Sequence, residues 1–201
     1  MKIAIIDYGA GNTQSVKYAL KRLGCEGVLT SDKEVISSSD KIIFPGVGQA
    51  SSAMKKLSSK GLDVLIPNLK QPVLGICLGM QLMLESSNEH GVSQGLGLIK
   101  GSVDVLPKLL GPIPHVGWNE IFSDKKTCLM SDVRESANVY FVHSYHCEVA
   151  EDIEIIYTDF YGRKIVAGFQ KKNIFGVQFH PEKSQKVGNL VLQNFLNYQD
   201  A

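Results

Sequence analysis

Three short apolar runs, each followed by a glycine-bearing turn and then a helical stretch, constrain this chain more than any other feature. They are KIAIID at 2–7, KIIF at 41–44 and PVLGI at 72–76. Runs apolar at successive positions fit strands buried on both faces, as in parallel sheets. YGAGN follows the first, PGVGQ the second and CLG the third. Asn12 or Thr13 can cap the helix after the first turn. Val16, Ala19, Leu20 and Leu23 then recur at helical spacing, and Gly24 is suited to stop it. CEGVLT at 25–30 reads as a further strand, and SDKEVISSSDK at 31–41 as a polar connection. Helical patterns run to about Lys60, over 62–69, and over LGMQLMLESS at 78–87. Strands alternating with helices predict an α/β fold, with a mostly parallel central sheet and helices on both faces.

From about Leu96 the texture changes to short β-rich runs: LGLI, SVDVL, HVGWNEI, VYFVHSYHCEV, IEIIYT, KIVAGFQ and NIFGVQF. An amphipathic helix over 187–198 closes the chain. The expectation is one domain over residues 1–201, with antiparallel strands added in the second half. A hydrophobic content of 44% in 201 residues is ample for one buried core. The net charge of +1 leaves no electrostatic footprint for nucleic acid or an anionic membrane. The apolar runs at 3–6 and 73–78 fall far short of the roughly 18 residues that span a bilayer. MKIAIIDYG lacks the length and cleavage site of a signal peptide, so a soluble, cytoplasmic protein is expected. Free thiols are the expected state of Cys25, Cys77, Cys128 and Cys147. No CxxC pair supports zinc, and His143 and His146 sit in a stretch that reads as strand rather than helix.

The strongest local signal is Gly75-Ile76-Cys77-Leu78-Gly79, with a strand running in and a helix running out. This is the layout of a nucleophile elbow with cysteine in place of serine. A side chain lifted above a strand end needs a strained backbone, and flanking glycines remove the clashes that Cβ atoms would make. A packing cysteine between two glycines would have the same local sequence. A cysteine nucleophile needs a base and a group to orient that base. Phe179-His180-Pro181-Glu182 supplies both: in an extended segment His180 and Glu182 would face the same side. Pro45-Gly46-Val47-Gly48 follows a strand and offers amides that can hold a developing oxyanion, together with the amide of Leu78. YGAGN is not a dinucleotide fingerprint, because Gln14 stands where the third glycine would be required. Trp118, the only tryptophan, is either core or a surface contact.

GICLGMQ and GVQFHPEKS together resemble the triad of the class I glutamine amidotransferases, and the resemblance covers the whole chain in order. IDYGAGN, FPGVG, PHVGWN and YFVHSYH narrow it to the glutaminase subunits of imidazole glycerol phosphate synthases. The resemblance implies a flavodoxin-like fold and hydrolysis of glutamine to glutamate and ammonia. It also implies a heterodimer with a (β/α)₈-barrel cyclase subunit in histidine biosynthesis, and no metal or organic cofactor. It assigns Cys77 as nucleophile, His180 as general base and acid, and Glu182 as its orienting carboxylate. Gly46, Val47 and Gly48 match the oxyanion segment. Gln81, Glu89, His143, Ser144 and Tyr145 match substrate-holding positions. Asn12, Trp118, Tyr140 and Lys183 match the face turned toward the synthase. A paralogous glutaminase feeding another synthase, such as one aminating a sugar for a surface polysaccharide, would share these motifs. A cysteine peptidase with a related elbow would lack the pairing of Glu182 with His180 and the match at Gln81.

Overall fold

A computed structural model of the chain describes residues 1–109, 111–123, 125, 127–134 and 136–199. The first half alternates strands and helices: β1 (Ile3–Ile6), α1 (Thr13–Arg22), β2 (Gly27–Thr30), α2 (Lys33–Ser37), β3 (Lys41–Gly46), α3 (Ala50–Ser59), α4 (Leu62–Leu65), β4 (Val73–Cys77) and α5 (Leu78–Gln81). Strands then dominate: β5 (Leu84–Ser87), β6 (Ser93–Gln94), β7 (Ile99–Val105), β8 (His115–Ser123), β9 (Ala137–His143), β10 (Tyr145–Val149), β11 (Glu154–Phe160), β12 (Arg163–Lys171) and β13 (Ile174–Val177). The helix α6 (Gln185–Asn197) closes the described chain.

Among the described residues, nine strands form one sheet in the order β2-β1-β3-β4-β13-β12-β11-β8-β9. The pairings from β2 to β13 are parallel. Those from β13 to β9 are antiparallel. A second sheet runs β10-β7-β5-β6. The inner parallel strands β1 and β4 are buried at every position because each face of the sheet is covered, whereas β2, at the edge, is only half-buried. Ile3 and Ile5 share a core with Val16 and Leu20 of α1 and Leu192 and Phe195 of α6. Ala4 and Ile6 face the other way, into a core with Ala53 and Leu57 of α3. The left-handed backbone of Gly24, φ 74°, follows the end of α1, as expected of a helix stop. Asn12 occupies the N-cap position, but its side chain makes no capping hydrogen bond.

Three expectations are corrected. The stretch at 78–87 is not one helix: α5 makes a single turn and the chain re-enters a sheet as β5. Residues 78–84 are all buried, so the segment has no solvent-facing stripe to stabilise a longer amphipathic helix. The carbonyls of Leu82, Met83 and Leu84 are instead taken by the amides of Leu96, Leu98 and Gly97 at 2.8, 2.9 and 3.0 Å. The polar connection at 31–41 contains the short helix α2, whose amides at Glu34 and Val35 donate to Asp32 Oδ1 at 2.8 and 3.2 Å. The run VYFVHSYHCEV is two strands: β9 ends the large sheet, Ser144 breaks the run, and β10 joins the small one.

Candidate active site

The parallel strands β3, β4 and β13 are adjacent, and their C-terminal ends carry Gly46, Cys77 and the segment leading to His180. A cleft outside strand ends is where open α/β sheets hold ligands. Cys77 has φ 54° and ψ −114°, a conformation that costs an L-residue free energy unless its surroundings enforce it. They do so through close backbone approach. A Cβ on Gly79 would collide with the Phe44 carbonyl of β3. A Cβ on Gly46 would lie 2.6 Å from the Gly79 nitrogen and 2.8 Å from Tyr8 Oη. The elbow predicted from GxCxG is therefore present, and its glycines let it lie directly on β3.

Cys77 is not sealed in the core. It lines a cleft of about 390 Å³ with Val47, Gly48, Leu78, Gln81, Glu89, His143, Ser144, Tyr145 and His180, all site residues expected from the sequence. Gly46 pairs with Cys77 at the end of β3. Pro114 and Val142, within PHVGWN and YFVHSYH, complete the lining and are not singled out as site residues by the sequence. Leu78 opens α5, so its amide has no intrahelical acceptor and remains a candidate oxyanion donor. Gly48, with φ 94°, gives the loop after β3 a conformation open to glycine.

His180 Nδ1 lies 2.7 Å from Glu182 Oε1. The carboxylate can only accept, so Nδ1 carries the proton and Nε2 is left for the thiol. The sequence pattern predicts both residues in one extended segment. His180 is extended, but Pro181 starts a 3₁₀ turn, closed by Lys183 N donating to His180 O at 3.0 Å, and this turn folds the carboxylate back onto the ring. Burial lowers the pKa of His180. Hydrogen bonds to Cys77 and Glu182, with the charges of both, outweigh burial and raise it to about 10. Glu182 Oε2 is buried and has no hydrogen-bond partner among the described residues. Burial, with Cys77 adding to it, also pushes the buried Tyr8 phenol well above its usual range.

On the opposite wall, Gln81 Nε2 donates to Tyr145 O at 3.0 Å and to Gln178 Oε1 at 2.8 Å. Gln178 Nε2 lies 3.7 Å from Cys77 Sγ. His143 Nδ1 is 2.8 Å from Tyr145 O, and its Nε2 is 3.0 Å from His115 Nδ1. Burial holds the pKa of His143 down, to about 3, so this ring is neutral. His143 and His146 diverge onto two sheets, and the described residues contain no cluster suited to a metal ion. Glu89 Oε2 accepts from Ala50 N at 2.6 Å. Gln178 and His115 lie within the stretches GVQFHPEKS and PHVGWN but are given no role by the sequence reading. Gln178 stands two residues before His180, and His115 comes opposite His143 only through the register of β8 on β9.

Trp118 is 48% exposed, so it is a surface residue rather than core. It lies opposite Tyr140, with ring centroids 6.1 Å apart and planes at 64°. Lys183 Nζ sits 5.8 Å from the Tyr140 ring centroid. The neighbouring cross-strand pair Val116 and Val142 is also exposed. This edge of the large sheet thus presents aromatic and aliphatic surface beside a cation. Asn12 lies on the loop between β1 and α1.

The family model for class-I glutamine amidotransferases matches residues 4–198. The chain is 48% identical to imidazole glycerol phosphate synthase subunit HisH of Bacteroides thetaiotaomicron, over 98% of this chain and 100% of that one. It is 43% identical to the subunit of the same name from Archaeoglobus fulgidus, over 97% and 98%. Among solved structures, a glutamine amidotransferase superposes with a TM-score of 0.76 at 17% identity, covering 98% of this chain and 97% of that one. A chain of PurLQS from Thermotoga maritima superposes with a TM-score of 0.71 at 19% identity, covering 98% of this chain and 98% of that one. At these identities the superpositions speak to the fold.

Proposed function

We propose, since the chain belongs to the class-I glutamine amidotransferase family, that it is the glutaminase subunit of an imidazole glycerol phosphate synthase. The observation that carries this reading is the cleft at Cys77, where an enforced elbow, a His180–Glu182 pair and the wall formed by Gln81, Glu89 and Tyr145 converge. The near full-length relatives named above are subunits of that synthase, which supports the histidine-pathway role over a sugar amidotransferase. We read residues 1–201 as one glutamine amidotransferase domain, working in the cytoplasm. No helix among the described residues is long and apolar enough to cross a membrane.

In this reading the Cys77 thiolate attacks the side-chain amide carbon of glutamine. The carbonyl oxygen becomes an oxyanion held by amides at Val47 and Leu78. His180 gives its proton to the leaving nitrogen, which departs as ammonia. Water, deprotonated by His180, then opens the γ-glutamyl thioester and releases glutamate. Glu182 keeps the ring in the tautomer that presents Nε2 to both steps. Gln81 and Glu89, with the backbone of His143, Ser144 and Tyr145, hold the amino-acid end of the substrate.

The exposed face of Trp118, Tyr140 and Lys183, together with Asn12, is assigned to the (β/α)₈-barrel cyclase partner. That partner takes the ammonia and makes imidazole glycerol phosphate and an aminoimidazole carboxamide ribotide. The test is glutamate formation from glutamine by the isolated chain, by the chain with the cyclase, and by the Cys77→Ser variant in the same complex. Activity that requires Cys77 and rises with the cyclase supports the assignment. Activity retained in Cys77→Ser overturns it.

A further inference from the structure

We infer that Gln178 donates a side-chain hydrogen bond to the Cys77 sulfur and stabilises the thiolate, with its orientation fixed by a partly buried chain of hydrogen bonds reaching back to β8. The inference rests on the reading of Cys77 as nucleophile. It goes beyond that reading because Gln178 lies outside the triad and the oxyanion segment.

The direction of each bond in the chain can be worked out from one atom. The Tyr145 carbonyl can only accept. Both groups that reach it must therefore donate: His143 Nδ1 at 2.8 Å and the Gln81 amide nitrogen at 3.0 Å. His143 is a neutral ring, so with Nδ1 protonated its Nε2 is bare and accepts from His115 Nδ1 at 3.0 Å. Burial likewise lowers the pKa of His115, whose own Nε2 is then bare and faces Asn119 Nδ2 at 3.4 Å. Asn119 is anchored by donating to Asp159 O at 2.6 Å. On the other side, the second hydrogen of the Gln81 amide nitrogen points to Gln178 Oε1 at 2.8 Å. Turning the Gln81 amide around would set its oxygen against the Tyr145 carbonyl, and turning Gln178 around would set nitrogen against nitrogen. Gln178 Nε2 is thereby forced toward Cys77 Sγ, 3.7 Å away.

Gln178 has no exposed surface and follows β13 with its own backbone amide donating to Ala167 O at 2.8 Å. A buried primary amide held in this way has little freedom to reorient. A donor fixed toward sulfur favours the charged thiolate over the neutral thiol, because hydrogen bonds to charged groups are stronger than those to neutral ones. A purely architectural role would need only Oε1, as an acceptor for Gln81.

Two substitutions separate the roles. Gln178→Met keeps the length and loses both donor and acceptor. Gln178→Glu keeps an acceptor for Gln81 and places a carboxylate at the sulfur. The readout is the rate of Cys77 alkylation by iodoacetamide against pH, followed on the Cys77 peptide by mass spectrometry, alongside kcat and KM for glutamine in the complex with the cyclase. The alkylation midpoint should rise by about one pH unit in Gln178→Met, the tenfold change expected on losing one charge-assisted hydrogen bond. It should rise further in Gln178→Glu. In the wild-type protein, the side-chain amide resonance of Gln178 should shift across the same midpoint, a measurement that needs no variant to fold. An unmoved midpoint in both variants, or a Gln178 resonance indifferent to thiol titration, overturns the inference. Full glutaminase activity after Cys77 is alkylated would instead overturn the nucleophile assignment.

Discussion

Replacing Glu182 by Gln keeps the shape of the side chain and removes its charge, which isolates what the carboxylate does for His180. His180 and Glu182 are buried, and their contact is 2.7 Å. His180 is raised from 6.5 to about 10 against an opposing burial effect, with the hydrogen bond to Cys77 ahead of that to Glu182 among the raising causes. Assigning Glu182 one charge-assisted hydrogen bond gives about 2 kcal/mol, or roughly 1.5 pH units. The titration of His180 in Glu182→Gln should fall by that amount. The assay is ¹⁵N imidazole chemical shift against pH, in which the neutral His143 is a distinguishable control. The same 2 kcal/mol corresponds to a loss of about 30-fold in kcat/KM, and to more if the new amide turns its NH₂ group toward Nδ1 and imposes the wrong tautomer. Stability follows the same sign. A histidine whose folded-state pKa is raised contributes stability that is complete below about 6.5 and is lost as pH rises through about 10. The wild type should therefore lose its advantage over Glu182→Gln across that window. A His180 titration unmoved by the substitution, with kcat/KM intact, would show that Glu182 does not act through the ring.

Removing the ring should cost more than removing its partner. His180→Asn loses both proton transfers and should lower kcat by about three to four powers of ten, and a milder effect than that of Glu182→Gln in parallel kinetics would reverse the assigned roles. Gly79→Ala drives a Cβ into the Phe44 carbonyl. It should cost about 3 kcal/mol in chemical denaturation, because backbone on both sides must shift. Trp118→Ala and Lys183→Ala should weaken stimulation by the cyclase in steady-state assays while leaving Cys77 alkylation unchanged. An isolated chain already fully active, and indifferent to the cyclase, would remove the regulatory part of the account.

The parallel half of the fold was legible because its inner strands β1, β3 and β4 are buried on both faces, and that burial writes itself as apolar runs. The meeting of Cys77, His180 and Glu182 was legible because they lie within local motifs whose glycines and proline have steric reasons. Where the chain is buried on all sides the pattern goes silent: residues 78–84 could coil as a helix or extend without changing which side chains meet solvent. Their fate was decided by loop amides that cap Leu82, Met83 and Leu84 from more than a dozen residues away. Gln178 was hidden for a related reason. Its partner Cys77 is 101 positions distant, and only the pairing of β4 with β13 brings them together. His115 reaches His143 through the β8–β9 register, which no local spacing specifies. The contact of Glu182 with His180 was expected on the right residues but by the wrong backbone, since a turn closed at Lys183 replaces the extended pair.

Everything in the proposed chemistry depends on Cys77 carrying the γ-glutamyl group. Treating the complex with an electrophilic glutamine analogue, and locating the adduct by peptide mass spectrometry while glutamate production is followed, tests that step. One adduct per chain should form, on Cys77, in step with loss of activity and slowed by glutamine. An adduct confined to Cys25, Cys128 or Cys147, or full activity with Cys77 modified, would contradict it.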